Sequence, residues 1–217
     1  MQENTNQVVA LEVENDIAIM FMDGCKGNIM NEEWLIDFNR CMAEIETLSL
    51  KGLIITGRGR NFCSGVDFMT LAKSVDVKNK TFYTSSNIYK SVRYIHAMRY
   101  FPFPVIAAIK RVCIGSGLEL ALACHYRLCD KSLSMGSVEV DFNMMPGMGG
   151  SILLPELIDR GKALELILKG EIFSADKALE LGLVDEIVPP SELLDAAKQR
   201  ITRLHYFYQN KRVMENG

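Results

Sequence analysis

The sequence lacks a long apolar segment, a leader-like start and an excess of positive charge. No hydrophobic run reaches the roughly 20 residues needed to cross a bilayer, and residues 1–7 are polar. The formal net charge of −3 also lacks the basic excess typical of proteins that bind nucleic acid. These absences predict a soluble, cytoplasmic protein that has neither a membrane nor a nucleic acid as its partner.

Metal-binding cysteine motifs are missing as well. The sequence has six cysteines, and no two of them stand at the C-x-x-C spacing of a zinc ribbon. Cys124, His125 and Cys129 are close in sequence and leave a small metal cluster as an alternative. Both cysteines lie in apolar runs typical of buried, reduced thiols, so we expect no metal and a reducing, cytosolic environment.

Two further catalytic motifs are incomplete. None of the three histidines has a serine or cysteine partner at a readable spacing, so a nucleophilic triad is poorly supported. Gly115-Ser116-Gly117 resembles the start of a dinucleotide-binding fingerprint, but Leu120 stands where the third glycine belongs. We therefore expect no nucleotide cofactor.

The sequence does contain the composition and the pattern of an α/β domain. Its 217 residues are 48% hydrophobic and 24% charged, which is typical of one globular domain with a substantial core. Apolar runs at 52–57 and 105–109 are continuous, as in strands buried on both faces of a parallel sheet. Helical periodicity at 31–47 and 86–99 precedes these runs, and the alternation predicts a largely parallel sheet covered by helices.

The remaining elements complete this pattern. An Asn15-Asp16 turn separates two alternating segments and predicts a hairpin, whereas residues 73–85 have no clear period and are predicted to be a loop. Further strands and helices are expected at 126–129, 133–135, 147–169, 174–181, 184–188 and 191–212. We divide the chain into a core at 1–190 and a short C-terminal helical segment at 191–217.

Four glycine-containing segments carry the candidate chemistry, at residues 59–67, 114–120, 135–139 and 145–150. The first two are strand-to-helix turns built from small residues. Such turns leave backbone N–H groups free at a helix start, where the helix dipole favours negative charge. Two turns of this kind that face each other would stabilise a developing oxyanion.

Glu119 and Glu139 are the candidate acid–base groups. A carboxyl group in apolar surroundings tends to have a raised pKa, which suits proton transfer near neutral pH, and two such groups would divide the roles of acid and base. Each also has a simpler interpretation: Glu119 would favour the dipole of its helix, and Glu139 would be an ordinary surface carboxylate. We interpret Met144, Met145 and Met148 as core or pocket lining.

In this order, the four segments resemble those of the crotonase superfamily, the enoyl-CoA hydratase/isomerase fold. The resemblance extends from about Ala18 to Pro189. It implies an α/β fold with a crotonase-like ββα spiral core, mostly parallel sheets and a C-terminal helical region that is shortened. Ser116 departs from the family pattern, since a glycine usually stands there.

The resemblance also implies residue roles. The N–H groups of Ser64 and Ser116 would form the oxyanion hole, and Glu119 and Glu139 would be the catalytic glutamates. The implied substrate-binding residues are Lys26, Asn28, Phe62, Gly65, Asp67, Gly115 and Gly147.

The function implied by the resemblance is that of an enoyl-thioester hydratase or dehydratase. It would act on an acyl-CoA or acyl-carrier thioester through a stabilised enolate, with no cofactor beyond the coenzyme A of the substrate. Double-bond isomerisation, decarboxylation and thioester hydrolysis stay open as alternatives, as does a non-catalytic thioester-binding paralogue. The resemblance further implies a homotrimer or hexamer, with fatty acid or polyketide metabolism as the setting.

Overall fold

The computed structural model describes residues 7–76, 78–79, 81–84 and 86–215. In chain order, the strands are β1 (Val9–Glu14), β2 (Ile17–Met22), β3 (Gly52–Gly57), β4 (Val75–Asp76), β5 (Thr81–Phe82), β6 (Val105–Ile109), β7 (Val112–Ile114), β8 (Tyr126–Cys129), β9 (Ser134–Gly136), β10 (Phe173–Ser174) and β11 (Glu186–Ile187). The helices are α1 (Cys25–Asn28), α2 (Glu32–Ile45), α3 (Phe68–Ser74), α4 (Asn87–Ala97), α5 (Ser116–Leu122), α6 (Gly150–Leu157), α7 (Arg160–Lys169), α8 (Ala175–Glu180) and α9 (Leu193–Glu215). None of the helices in the described ranges combines the length and the apolar character of a membrane span.

A six-stranded sheet, in the order β1-β2-β3-β6-β8-β11, forms the centre of the molecule. Only β1 and β2 pair antiparallel, as a hairpin, and all other neighbours in this sheet are parallel. Asn15 and Asp16 form the hairpin turn with φ angles of 51° and 64°, which Asn and Asp tolerate. Every residue of β3 and β6 is buried, so both predictions, the hairpin and the largely parallel sheet, are confirmed.

Helices cover both faces of this sheet. Ala18 and Met20 of β2 belong to a buried cluster that includes Trp34 of α2. Ile19, the residue between them, faces the opposite side and belongs to a second cluster with Ile201 of α9. The helix predicted at 191–212 therefore buries the second face of the sheet.

A three-stranded sheet, in the order β10-β9-β7, carries two of the four motif segments. Because β7 and β9 are parallel, the segments that follow them emerge at the same edge. The Gly115 N–H donates to the carbonyl oxygen of Gly136 at 3.0 Å and ties these two segments together. The Gly115 turn and the short 3-10 helix at Glu139–Phe142 are thereby neighbours.

The prediction of a loop at 73–85 is wrong in part. Residues up to Ser74 belong to α3, and β4 pairs antiparallel with β5. Each of these strands is only two residues long, which is too short for the alternation that marks a strand in a sequence.

Candidate active site

Two glycine turns meet at the candidate site. Gly65 precedes α3 and Gly115 precedes α5, and their φ angles are positive, at 94° and 55°. A Cβ atom placed on Gly65 would lie 3.9 Å from the Cα of Gly115 and 3.7 Å from the amide nitrogen of Ser116. The two backbone segments are therefore close neighbours, and the positive φ angles favour glycine at both positions.

The structure corrects the predicted donor in the first turn. The Ser64 N–H donates to the Gly27 carbonyl oxygen at 3.0 Å and is therefore not available to a substrate. Val66 forms a parallel bridge with Met30, which bonds to the peptide groups on either side of Val66. The Val66 N–H consequently points away from Met30, and no acceptor for it is found among the described residues. Because Val66 also lines the adjacent cavity, it replaces Ser64 as the candidate donor.

Ser116 supplies the second amide. It is the first residue of α5, so its N–H has no partner within the helix, and the described ranges offer no other acceptor. The residue is 6% exposed and lines the same cavity as Val66. The two free N–H groups, at Val66 and Ser116, form the candidate oxyanion hole.

Glu119 lies in the first turn of α5 and is only 1% exposed. Its Oε1 accepts hydrogen bonds from the N–H groups of Met148 and Gly150, both at 2.8 Å. No partner with hydrogen-bond geometry is found for Oε2 within the described residues. Burial raises the pKa of this carboxyl to about 7, and the nearby Glu139 adds to the rise, while the two N–H groups and the Ser116 side chain lower it. The result is a fixed group that exchanges protons near neutral pH.

Glu139 begins the 3-10 helix after β9 and is 9% exposed. Its Oε2 accepts a hydrogen bond from the Ser137 hydroxyl at 2.8 Å, whereas Oε1 has no partner in the described part of the chain. A Cβ atom on Gly115 would lie 3.5 Å from that free oxygen. Glu139 is thus a buried group beside the Gly115 turn, and its interpretation as a surface carboxylate is wrong.

Val66, Ser116 and Glu139 border a cavity of about 810 Å³. Glu139 is the one acidic or basic side chain among the described residues that line it. The lining consists of Val66, Leu71, Val75, Ile88, Ser116, Glu139, Asn143, Met144, Met145, Gly147 and Met148. Gly147 and the three methionines therefore lie where the sequence places them, at a pocket, and most of the described lining is apolar.

Three residues predicted to contact substrate instead support the site. Phe62 is fully buried in the core, so its side chain does not line the cavity. Asp67 caps α3, since its carboxylate accepts hydrogen bonds from the N–H and the hydroxyl of Thr70 at 2.8 Å and 2.9 Å. Asn28 is 3% exposed, and its amide donates to the carbonyl oxygens of Asn61 and Phe62. Asn28 thereby holds the loop that presents the Val66 amide.

Two further predictions concern Lys26 and the cysteines. The Lys26 side chain lies outside the described part of the structure, so its predicted role stays a prediction. Cys124 and Cys129 are buried, and burial raises the pKa of both thiols to about 12. Among the described residues, no group of three or more His, Cys, Asp or Glu side chains is placed to hold a metal ion.

The central sheet, the smaller sheet and the paired glycine turns define a crotonase-like α/β fold. The chain belongs to the enoyl-CoA hydratase/isomerase family, whose model matches residues 12–214.

Solved structures show the same architecture. An enoyl-CoA hydratase from Bacillus anthracis is 29% identical, with a TM-score of 0.78 over 91% of this chain and 76% of that chain. One from Thermoplasma volcanium GSS1 is 26% identical, with a TM-score of 0.80 over 98% of this chain and 86% of that chain. One from Polaromonas sp. JS666 is 25% identical, with a TM-score of 0.79 over 91% of this chain and 77% of that chain.

Proposed function

We propose that the protein is an enoyl-thioester hydratase or dehydratase. The observation that carries this proposal is a pair of buried carboxyl groups. Glu139 lines the cavity with Val66 and Ser116. Glu119 shares the first turn of α5 with Ser116, where the Glu139 charge raises the pKa of Glu119. Each carboxyl group keeps one oxygen free of hydrogen bonds from the described residues. Water addition to a 2-enoyl thioester requires two proton transfers, one from water and one to C2, and two carboxyl groups divide that work.

The reaction follows from this arrangement. The thioester carbonyl oxygen accepts hydrogen bonds from the Val66 and Ser116 amides. One carboxylate takes a proton from water as the water oxygen bonds to C3, and the C2–C3 π electrons move into an enolate whose charge the two N–H groups stabilise. The other carboxyl group, in its protonated form, then delivers a proton to C2. Burial raises the pKa of Glu119 to about 7, so both of its protonation states are populated at neutral pH.

The cavity supports an uncharged acyl group. Its lining is apolar apart from Glu139 and a few uncharged polar residues within the described chain. A carboxylate on the acyl group would lose its hydration there and gain no cationic partner from the described lining residues. Family membership supports coenzyme A as the carrier of the thioester, and an acyl-carrier protein is the alternative.

The test is hydration of 2-enoyl-CoA substrates, starting with crotonyl-CoA, by the wild type and by Glu119→Gln and Glu139→Gln. Each substitution keeps the size of the side chain and removes its acid–base function, so we expect kcat to fall by at least about 10²-fold. Asp141→Asn is the matched control, because Asp141 is an exposed acid in the same 3-10 helix as Glu139. Near-normal turnover in either glutamine variant would remove that glutamate from the mechanism.

One observation favours double-bond isomerisation as a second candidate. Glu139 lines the cavity, whereas Glu119 does not and is more deeply buried. A single carboxylate suffices to carry a proton between C2 and C4 of a 3-enoyl thioester. If Glu119→Gln retains conversion of 3-enoyl-CoA to 2-enoyl-CoA while hydration by the wild type is absent, the isomerase is the correct assignment.

A further inference from the structure

His96 of α4 contacts the loop that holds Glu119. Its Nε2 lies 3.1 Å from the carbonyl oxygen of Met148. A carbonyl oxygen only accepts hydrogen bonds, so Nε2 carries the proton and donates. The two residues are far apart in sequence, and this bond links α4 to the segment before α6.

Met148 connects His96 to Glu119 through its backbone. Its carbonyl accepts from His96, and its N–H donates to Oε1 of Glu119 at 2.8 Å. The Gly150 N–H donates to the same oxygen, also at 2.8 Å. A displacement of this short segment would therefore move both donors away from the carboxyl group together.

The imidazole ring also packs tightly against the residue between these two donors. A Cβ atom on Gly149 would lie 2.7 Å from both Cε1 and Nε2 of His96, closer than real Cβ contacts come. Gly149 has a φ angle of 118°, which residues other than glycine rarely adopt. The ring and the glycine thus define the position of the segment from Met148 to Gly150.

We propose that His96 is a positioning residue, which orients Glu119 for proton transfer by fixing the Met148–Gly150 segment. Its effect on catalysis rests on the function proposed above, but its effect on the ionisation of Glu119 does not. Nothing in the proposal requires His96 to touch the substrate, since His96 is not among the described residues that line the cavity.

The consequence for Glu119 has a definite sign. Hydrogen bonds from N–H groups favour the ionised carboxylate, so their loss raises the pKa of Glu119 above its present value of about 7. The amides of Val66 and Ser116 lie outside this segment, whereas the Met148 side chain lines the cavity and moves with it. Loss of the proton-transfer geometry therefore lowers kcat strongly, and the shift of Met148 changes KM to a smaller extent.

Three variants separate the hydrogen bond from the ring. His96→Phe keeps a ring beside Gly149 and removes the donor, whereas His96→Gln keeps an N–H donor of similar reach. Arg93→Ala, an exposed position on the same helix, controls for any general effect on α4. We expect His96→Phe to lower kcat at least about tenfold with a smaller change in KM, because misplaced catalytic groups cost one to two orders of magnitude. His96→Gln and Arg93→Ala should stay close to the wild type.

A second readout needs no turnover. The free energy of unfolding is measured against pH for the wild type and for each His96 variant. Each is also measured with the additional substitution Glu119→Gln, and the value with this substitution is subtracted from the value without it. The carboxyl pKa is about 7 in the folded protein and about 4.5 as a model value, so this difference falls as pH rises from about 4.5 to about 7 and is flat outside that range. In the His96→Phe background the fall should continue to higher pH.

The outcomes are distinct. The proposal is supported, with or without activity, if the pH at which the free-energy difference stops falling rises in His96→Phe but not in His96→Gln. If that pH is unchanged in His96→Phe, the proposal is overturned. Equal behaviour of His96→Phe and His96→Gln overturns the hydrogen bond as the cause. Absence of turnover by the wild type would contradict the proposed function, and the pH measurement would then decide the role of His96.

Discussion

At the scale of single residues, the proposed oxyanion hole depends on peptide N–H groups rather than on side chains. This explains how Ser116 can stand where the family usually has glycine: the amide is the same, and the residue begins α5 in either case. Gly115, with a φ angle of 55°, is the position in this turn that a side chain would strain. The identity of the residue at 116 therefore matters less than the hydrogen on its nitrogen.

Ser116→Pro tests this directly. Proline is well tolerated at the first position of a helix, and it replaces the hydrogen of the N–H donor with a ring carbon. We expect kcat to fall by about 10²–10³-fold, the usual cost of one oxyanion donor, while the free energy of unfolding changes little. Ser116→Gly is the control, because it keeps the amide and should retain activity. A Ser116→Pro enzyme as active as Ser116→Gly would show that this amide does not hold the carbonyl.

Glu119 shows which of two opposing effects dominates at this site. Two N–H donors favour the ionised carboxylate, yet burial of the side chain raises its pKa from 4.5 to about 7. That shift corresponds to about 3 kcal/mol in favour of the neutral form. Burial of Glu119 therefore lowers the stability of the folded protein at neutral pH, and it keeps part of this carboxyl group protonated there, as the proposed proton donor requires.

At the scale of elements, the contact between α5 and the loop before α3 sets the distance between the two amides. A Cβ atom on Gly117 would lie 2.5 Å from the carbonyl oxygen of Cys63 and 2.8 Å from its Cβ. Backbone atoms cannot move aside as a flexible side chain can. The small residues of the α5 start are therefore required for close approach, and not only for a tight turn.

Gly117→Ala should push α5 away from this loop. We expect it to destabilise the fold by about 1–3 kcal/mol, the usual cost of overpacking, and to lower kcat/KM because the amides of Val66 and Ser116 separate. Gly161→Ala in α7 is the matched control, since the added Cβ would meet only the Asp159 side chain, at 3.1 Å. Denaturant unfolding and steady-state kinetics measure both effects. Unaltered kcat/KM in Gly117→Ala would mean that the spacing of the turns is not critical.

Elements with regular patterns were predictable from the sequence, and single hydrogen bonds were not. The runs at 52–57 and 105–109 predict buried parallel strands because both faces of β3 and β6 are covered. The prediction of Ser64 as the donor is wrong because its N–H bonds to the carbonyl of Gly27, which another segment brings to the turn. His96 carries no local signal either, since its partner Met148 lies in a distant segment.

At the scale of the whole molecule, two sheets and their connections bring the four motif segments to one cavity. The parallel pairing of β7 with β9 places Glu139 beside the Gly115 turn, and α6 places the Gly150 amide against Glu119. The segments after β7 and β9 therefore meet at the same edge of the smaller sheet. A single motif does not specify this meeting. The apolar residues that line this cavity suit the uncharged acyl group proposed above.

The most direct measurement is a crystal structure of the protein with a non-reactive acyl-CoA thioester bound. We expect the thioester oxygen within about 2.7–3.1 Å of the amide nitrogens of both Val66 and Ser116, with the free carboxyl oxygens of Glu119 and Glu139 facing C2 and C3. A thioester oxygen bound elsewhere, or an acyl chain that reaches neither carboxyl group, would contradict the account.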